Sequence, residues 1–288
     1  MKKLIFLSML LLLAAGCSKN NESSLSVTFD IRYPGQTKVS GNSFESGDVA
    51  GLYMTEYSSG VALPLLLFGN AISNAALTFD GSSWASSPKV FWDKGMKYDV
   101  YGYYPYGHPT SIDEYEFSVS PDQSSRRDGS TPGGYESSDF LWAKTEGVKY
   151  PDIVRLDFSH RMSRLVVRLV KGEDFDGELP EDISVRVHGT VTDALIDLGS
   201  GAVEKSRYGD THSITMRKDA ADTFSAIIVP QRIESRQPLI EILTNDVSYL
   251  LETRFVFRSG VQYCAIVTLN SDPAKVRIDI GGDIVGWN

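Results

Sequence analysis

Histidine, cysteine, carboxylate and tyrosine are the side chains of this sequence that invite a chemical reading, and their spacing decides which reading survives. His108, His160, His188 and His212 stand far apart, and none has a second His or Cys at ligand spacing. A zinc site, with three or four ligands converging, is therefore not expected. No G-x-S-x-G elbow, P-loop or dinucleotide fingerprint occurs. Pairs such as Asp113/Glu114 and Asp279/Asp283 have the residue types of glycosidase carboxylates, but carboxylates at loop and strand ends are ordinarily solvated surface. Cys264 alternates with Tyr263 and Ala265 in VQYCAIVTL, which suits a small core residue better than a nucleophile. No catalytic residue, metal or cofactor is expected. The aromatic stretch KGMKYDVYGYYPY, Lys94 to Tyr106, carries five tyrosines in its last nine residues. Such rings stack on a ligand or fill a core equally well. In strand geometry Tyr98, Val100, Gly102 and Tyr104 share one face, and Asp99, Tyr101, Tyr103 and Pro105 the other. Rings on both faces are expected where one face packs on the opposite sheet and the other lies under a loop or a second domain. Core packing is thus the expectation for the strand. Tyr106 and His108, beyond Pro105, sit where a strand should end and are the candidate ligand contacts.

The N-terminus bounds the compartment. MKKLIFLSMLLLLAAGC has a basic start, an apolar run from Leu4 to Ala15 and a small-residue exit, the pattern of a bacterial secretory signal over residues 1–16. The run is too short to cross a bilayer. Its ending, Leu13-Ala14-Ala15-Gly16-Cys17, resembles the lipobox of bacterial lipoproteins. That resemblance implies diacylglycerol on the Cys17 thiol, cleavage before it and acylation of the new amine; ordinary signal cleavage beside an incidental cysteine is the alternative. Two or three acyl chains give lasting attachment where one is marginal. Processing before Cys17 leaves 272 residues and, with Lys2 and Lys3 gone, a formal charge of −11 instead of −9. Such a surface excludes nucleic acid as a partner, and it offers no basic patch to anionic lipid, so acyl chains would do the anchoring. With Cys17 acylated, Cys264 has no disulfide partner, and the fold must rest on its core.

Residues 17–24 form a lipidated polar tether, and from Leu25 the pattern has period two. LSVTFDI puts Leu25, Val27, Phe29 and Ile31 on one face. VRLDF does so with Val154, Leu156 and Phe158, and LVVRL with Leu165, Val167 and Leu169. VSYLLETRFVF and VQYCAIVTL flank Ser259-Gly260, which predicts a tight hairpin. Helical periodicity is not sustained anywhere, while Gly, Pro, Asn and Ser clusters recur at short intervals. The expected fold is all-β and built of sandwiches. The strand count predicts two domains, 25–160 and 161–288, meeting at the polar break Ser159-His160-Arg161-Met162-Ser163. The Ser- and Gly-rich segment 120–139 reads as a mobile loop.

Several of these segments recur in a familiar order. VFWDKGMKYDVYGYYPY, then DQ followed by SDFLWAK, then LDFSHRMSRLVVRL and ALIDLGSGAV, then IIVPQ leading into PLIEILTN and FVFRSGVQYCAIVTL, resemble the fimbrillin family. Its members are type V pilus subunits and fimbrillin-like lipoproteins of gut and oral anaerobes. With the lipobox, the resemblance runs from Cys17 to about Leu269. It implies two tandem transthyretin-like β-sandwich domains, lipid anchoring in the outer membrane with surface exposure, and a role as fimbrial subunit, tip or anchor.

The resemblance also implies an assembly chemistry. An arginine-specific protease removes the N-terminal strand of a shaft subunit, and a strand of the next subunit fills the groove. The physical basis is strand addition: backbone bonds supply affinity and alternate side-chain pockets supply specificity. Here LSVTFDI runs directly into Arg32, the candidate cleavage site, although a surface arginine after a first strand reads equally well and the long propeptide of shaft subunits is missing. The C-terminal KVRIDIGGDIVGWN offers Val276, Ile278 and Ile280 at alternate positions, either as a donor strand or to complete its own sheet. The alternative function is a stand-alone surface lipoprotein that binds a glycan or host protein through the 120–138 loop and the Tyr106 region.

Overall fold

The structure is a computed structural model that describes residues 25–35, 43–129, 131–175, 177–234, 237–280 and 285–287. The signal segment, Cys17 and the tether lie outside the described residues. The described residues are nearly all β, with 54 % strand and 3 % helix, which matches the alternating pattern. One sheet is antiparallel throughout. Its middle is the aromatic strand Lys97–Tyr104, flanked by Val49–Ser58 on one side and Leu141–Lys149 on the other. Ile72–Phe79 and then Trp84–Ser87 extend it beyond Val49–Ser58. A six-stranded sheet runs Arg217–Ala220, Thr223–Ile228, Ser163–Lys171, Val261–Leu269, Arg277–Ile280, with Val285–Gly286 also pairing to Val261–Leu269; Ser163–Lys171 and Val261–Leu269 are parallel. A four-stranded sheet of Thr211–Thr215, Ser184–Val191, Pro238–Thr244 and Val247–Glu252 contributes to the same core.

The buried residues fall into two clusters, and the aromatic strand lies between them. Tyr98, Val100 and Tyr104 enter the smaller cluster with Leu52, Met54, Leu77, Leu141, Leu156 and Phe158. Tyr101 and Tyr103 enter the larger one with Tyr53, Phe117 and Phe140. Both faces of the strand are therefore core, and all four tyrosines are buried. Glycines make room at two points. A Cβ on Gly102 would stand 3.0 Å from Leu156 and from Phe158, while one on Gly51 would stand 2.0 Å from the Tyr103 ring. Gly51→Ala therefore forces a buried ring out of place. It is expected to cost about 1–3 kcal/mol, the range for overpacking a filled core, and urea unfolding checks it.

The larger core also takes residues from before the Ser159–Ser163 break. Ile112, Phe117, Val119, Tyr135 and Phe140 belong to it, and Tyr115–Ser118 pairs with Asp193–Asp197 across position 160. The break itself is buried: His160 is 3 % exposed, and Met162 and Ser163 are fully buried.

Two expectations are corrected. Ser259-Gly260 is not the turn of a hairpin. Phe255–Phe257 pairs with Gln231–Ile233, whereas Val261–Leu269 pairs with Ser163–Lys171, so the turn carries the chain from one sheet to another. The Phe255 and Phe257 rings meet Tyr263 edge-on at 4.9 and 5.9 Å across that crossing. Apolar contact between flanking runs thus arises between layers rather than within one. The segment 120–139 is also not a free loop. The buried Gln123 side chain takes the place of a strand partner: its Nε2 donates to the Ile227 carbonyl and its Oε1 accepts from the Ile227 amide, both at 2.8 Å. Arg127 pairs with Asp48 at 2.9 Å and Glu45 at 3.0 Å, and a single helical turn, Gly134–Ser137, leads back to the core. Polar composition was misleading there because the polar groups are used internally.

Candidate functional site

An all-β protein can act through its sheet edges, and the first and last described strands lie at such edges. The first strand, Phe29–Arg32, pairs in parallel with Val154–Asp157. Beyond the ladder itself, the Val154 amide donates to the Thr28 carbonyl at 2.9 Å, and the Phe158 amide to the Arg32 carbonyl at 3.1 Å. On its other side the Val27 amide donates to the Val90 carbonyl at 3.0 Å, and the Trp92 amide to the Leu25 carbonyl at 2.8 Å. Val27, Phe29 and Ile31 are half-buried against the smaller cluster. A short segment thus closes one flank of that core, in a sheet of only two strands.

Arg32 ends this strand with its side chain half-exposed, paired with Asp30 at 2.9 Å and Asp157 at 3.6 Å. Asp30 also meets Arg155 at 3.0 Å. Hydrogen bonds from Arg155 first, then from Arg32, hold the Asp30 carboxyl below its ordinary range. A depressed carboxylate pKa stabilises the fold above the unfolded value and loses that contribution as pH falls through the folded one. The clamp between the first strand and Val154–Asp157 therefore loosens on acidification into the carboxylate range. Exposure and salt keep its contribution small.

Past Arg32 the chain dives inward. The Tyr33 hydroxyl donates to Asp139 Oδ2 at 3.0 Å, and Asp139 Oδ1 lies 2.8 Å from His160 Nδ1. Burial, followed by the Asp139 charge, pushes the Tyr33 hydroxyl far above its usual value, so it remains a donor. On His160 lies the indole of Trp287, 3.6 Å between ring centroids and 4° from parallel. The Trp287 amide donates to the Gly260 carbonyl at 3.0 Å. The residue after the candidate cleavage site and the penultimate residue of the chain therefore meet through one buried carboxylate and one histidine. Beside them lies a cleft of about 170 Å³ lined by Tyr33, Asp48, Tyr104, Arg127, Asp139 and Trp287.

The C-terminal segment occupies an edge of the six-stranded sheet. Arg277–Ile280 runs antiparallel to Val261–Leu269, with Ile278 opposite Val267 and Ile280 opposite Ala265. Val276, Ile278 and Ile280 pack half-buried on the larger core. In this conformation the segment completes its own sheet, and its outer edge has no strand partner among the described residues. Val285–Gly286 then returns to Val261 and Gln262, which delivers Trp287 to His160.

Tyr106 and His108 are brought together, with ring centroids 5.4 Å apart at 76°. Tyr106 is half-buried and His108 exposed. His188 joins a polar ladder across the four-stranded sheet, 2.6 Å from Ser213 Oγ and 3.0 Å from Glu241 Oε2. Among the described residues no three His, Cys, Asp or Glu side chains converge on a metal position. Nor is any helix among them long and apolar enough to cross a membrane. Asp139, His160 and Trp287 escaped the sequence reading as a group, because Asp139 lies 21 residues from His160 and Trp287 well over a hundred from both, separations that leave no local pattern.

Fold and chain ends together define a β-sandwich protein whose first and last strands sit at sheet edges and meet in one buried aromatic joint. The profile of the family described as fimbrillin-like matches residues 37–287. The chain belongs to the fimbrillin-like family. Solved structures share its fold. A candidate cell adhesion protein from Bacteroides uniformis superposes with a TM-score of 0.69 at 17 % identity, over 91 % of this chain and 99 % of the other. A second such protein, from Bacteroides ovatus, gives 0.67 at 18 % identity, over 91 % and 97 %. A fimbrial protein from Bacteroides ovatus gives 0.51 at 18 % identity, over 86 % and 51 %. No curated protein matches the chain.

Proposed function

We propose that the protein is a surface-exposed fimbrial subunit, anchored in the outer membrane through lipid on Cys17, and that it joins other subunits by strand exchange. The observation that carries this reading is the first strand: Val27, Phe29 and Ile31 half-fill one flank of the smaller core, Phe29–Arg32 lies in a sheet of only two strands, and the half-exposed Arg32 follows. Cleavage after Arg32 frees that strand and leaves unpaired backbone beside an apolar groove. Val276, Ile278 and Ile280 of another copy have the alternation to fill it. Tyr33 then becomes a chain end, and its bond to Asp139 ties the cut to the joint that seats Trp287.

The test compares the wild type, Arg32→Ala and a chain ending at Asp272 after digestion with an arginine-specific protease. Sizing should show oligomers in the wild type alone, and N-terminal sequencing should read Tyr33. Oligomers in all three, or in none, would overturn the reading. Lipidation is tested separately: Cys17→Ala should lose fatty-acid label and leave the membrane fraction, and undiminished label would refute it.

A second reading is favoured by the meeting of Tyr106 and His108, which presents an aromatic ring beside an exposed imidazole to a glycan or host protein. It predicts that Tyr106→Ala abolishes glycan binding while the protein stays monomeric after digestion.

A further inference from the structure

Between Glu56 and Asp80 the chain carries no charged residue, and the structure puts four of its apolar side chains in water. Val61 is 69 % exposed, Leu63 46 %, Leu66 51 % and Phe68 75 %. Their loop is anchored from beneath, because the intervening Leu65 and Leu67 pack on the larger core. It is also tied at its tip. The Asn70 side chain accepts from the Leu66 amide at 3.0 Å and donates to the Leu66 carbonyl at 2.6 Å, and its Nδ2 also reaches Ser73 Oγ at 3.0 Å. At its entry the Leu63 amide donates to the Glu56 carbonyl at 2.8 Å.

We propose that this loop docks on a lipid bilayer, with Leu66 and Phe68 entering the boundary between headgroups and acyl chains. The chemistry favours lipid over a protein partner. A protein interface surrounds its apolar centre with a polar, hydrogen-bonding rim. This loop instead offers apolar side chains without any charge of its own, and Asn70 satisfies both polar backbone groups of Leu66 internally, which lowers the cost of moving Leu66 out of water. An exposed aromatic side chain at a rigid tip suits the interfacial zone. The protein's net negative charge, −9, selects the bilayer: zwitterionic headgroups rather than anionic ones. The proposal stands apart from the assembly reading and from lipid on Cys17, since it concerns a different surface.

The experiment places an indole at the tip. The full chain carrying Phe68→Trp, and a control carrying Tyr208→Trp at an exposed position of another loop, are reconstituted with phosphatidylcholine vesicles containing lipid brominated on the acyl chains. Relative to the wild type, the indole from Phe68→Trp should shift to the blue and be quenched several-fold more than the control. Adding Leu66→Ser should weaken that quenching at an unchanged melting temperature. Equal quenching at the two positions, or none, would overturn the proposal. So would a blue shift that grows with protein concentration in the absence of vesicles, which would assign the loop to a contact between protein molecules.

Discussion

Tyr103→Ala is expected to destabilise the protein by about 3–5 kcal/mol, the range for removing a large aromatic side chain from a core. The ring is 2 % exposed, lies over Gly51, and is near-parallel to Phe140 at 6.1 Å. Its hydroxyl donates to Asn74 Oδ1 at 2.7 Å and to the Gly107 carbonyl at 3.0 Å, two alternatives for one proton. Truncation empties a space over Gly51, which has no side chain to fill it. Tyr103→Phe separates the two contributions. It keeps the ring and loses the polar contacts, for about 1–2 kcal/mol. Thermal melts of the three proteins check this, with the alanine variant falling by roughly 10 °C. An unchanged melting temperature for Tyr103→Ala would show that the aromatic strand serves a ligand rather than the core.

The second large effect belongs to the joint between the chain ends. Asp139 is 5 % exposed and accepts from two partners, the half-buried Tyr33 and the buried His160. Asp139→Ala leaves both without their acceptor, and an orphaned buried polar group costs more than a hydrogen bond contributes when made. A loss of about 3 kcal/mol or more is expected. Because His160 then loses the bond that orients its ring, its stacking with Trp287 should weaken too. The indole should become accessible to a soluble quencher such as iodide well below the global unfolding transition. Asp139→Asn retains an acceptor for Tyr33 and should fall between the two. If Trp287 stays shielded in Asp139→Ala up to global unfolding, the joint does not hold the C-terminus.

Alternation proved a reliable guide to which side chains face inward. Val154, Leu156 and Phe158 of VRLDF, and Leu165, Val167 and Leu169 of LVVRL, are all buried. The two-faced aromatic strand was legible as well, because rings on both sides of one strand require a core on both sides. Alternation is silent on partners. Phe255–Phe257 and Val261–Leu269 read as one hairpin but enter different sheets, since period two specifies a buried face and leaves open which strand takes the backbone bonds. Composition failed at 120–139 for a related reason: whether Gln123 bonds to water or to Ile227 depends on a strand a hundred residues away.

By itself, then, the sequence determined the all-β class, the inward faces of its principal strands and the fimbrillin-like kinship, each of which rests on local periodicity or on the order of segments along the chain. Only the tertiary structure decided that Tyr33 and Trp287 meet over Asp139 and His160, that the C-terminal strand lies on its own sheet, and that Leu66 and Phe68 stay in water while Leu65 and Leu67 do not. Those outcomes depend on which distant surfaces come together, and an unpaired carboxylate or an uncovered leucine looks the same in the sequence as a satisfied one.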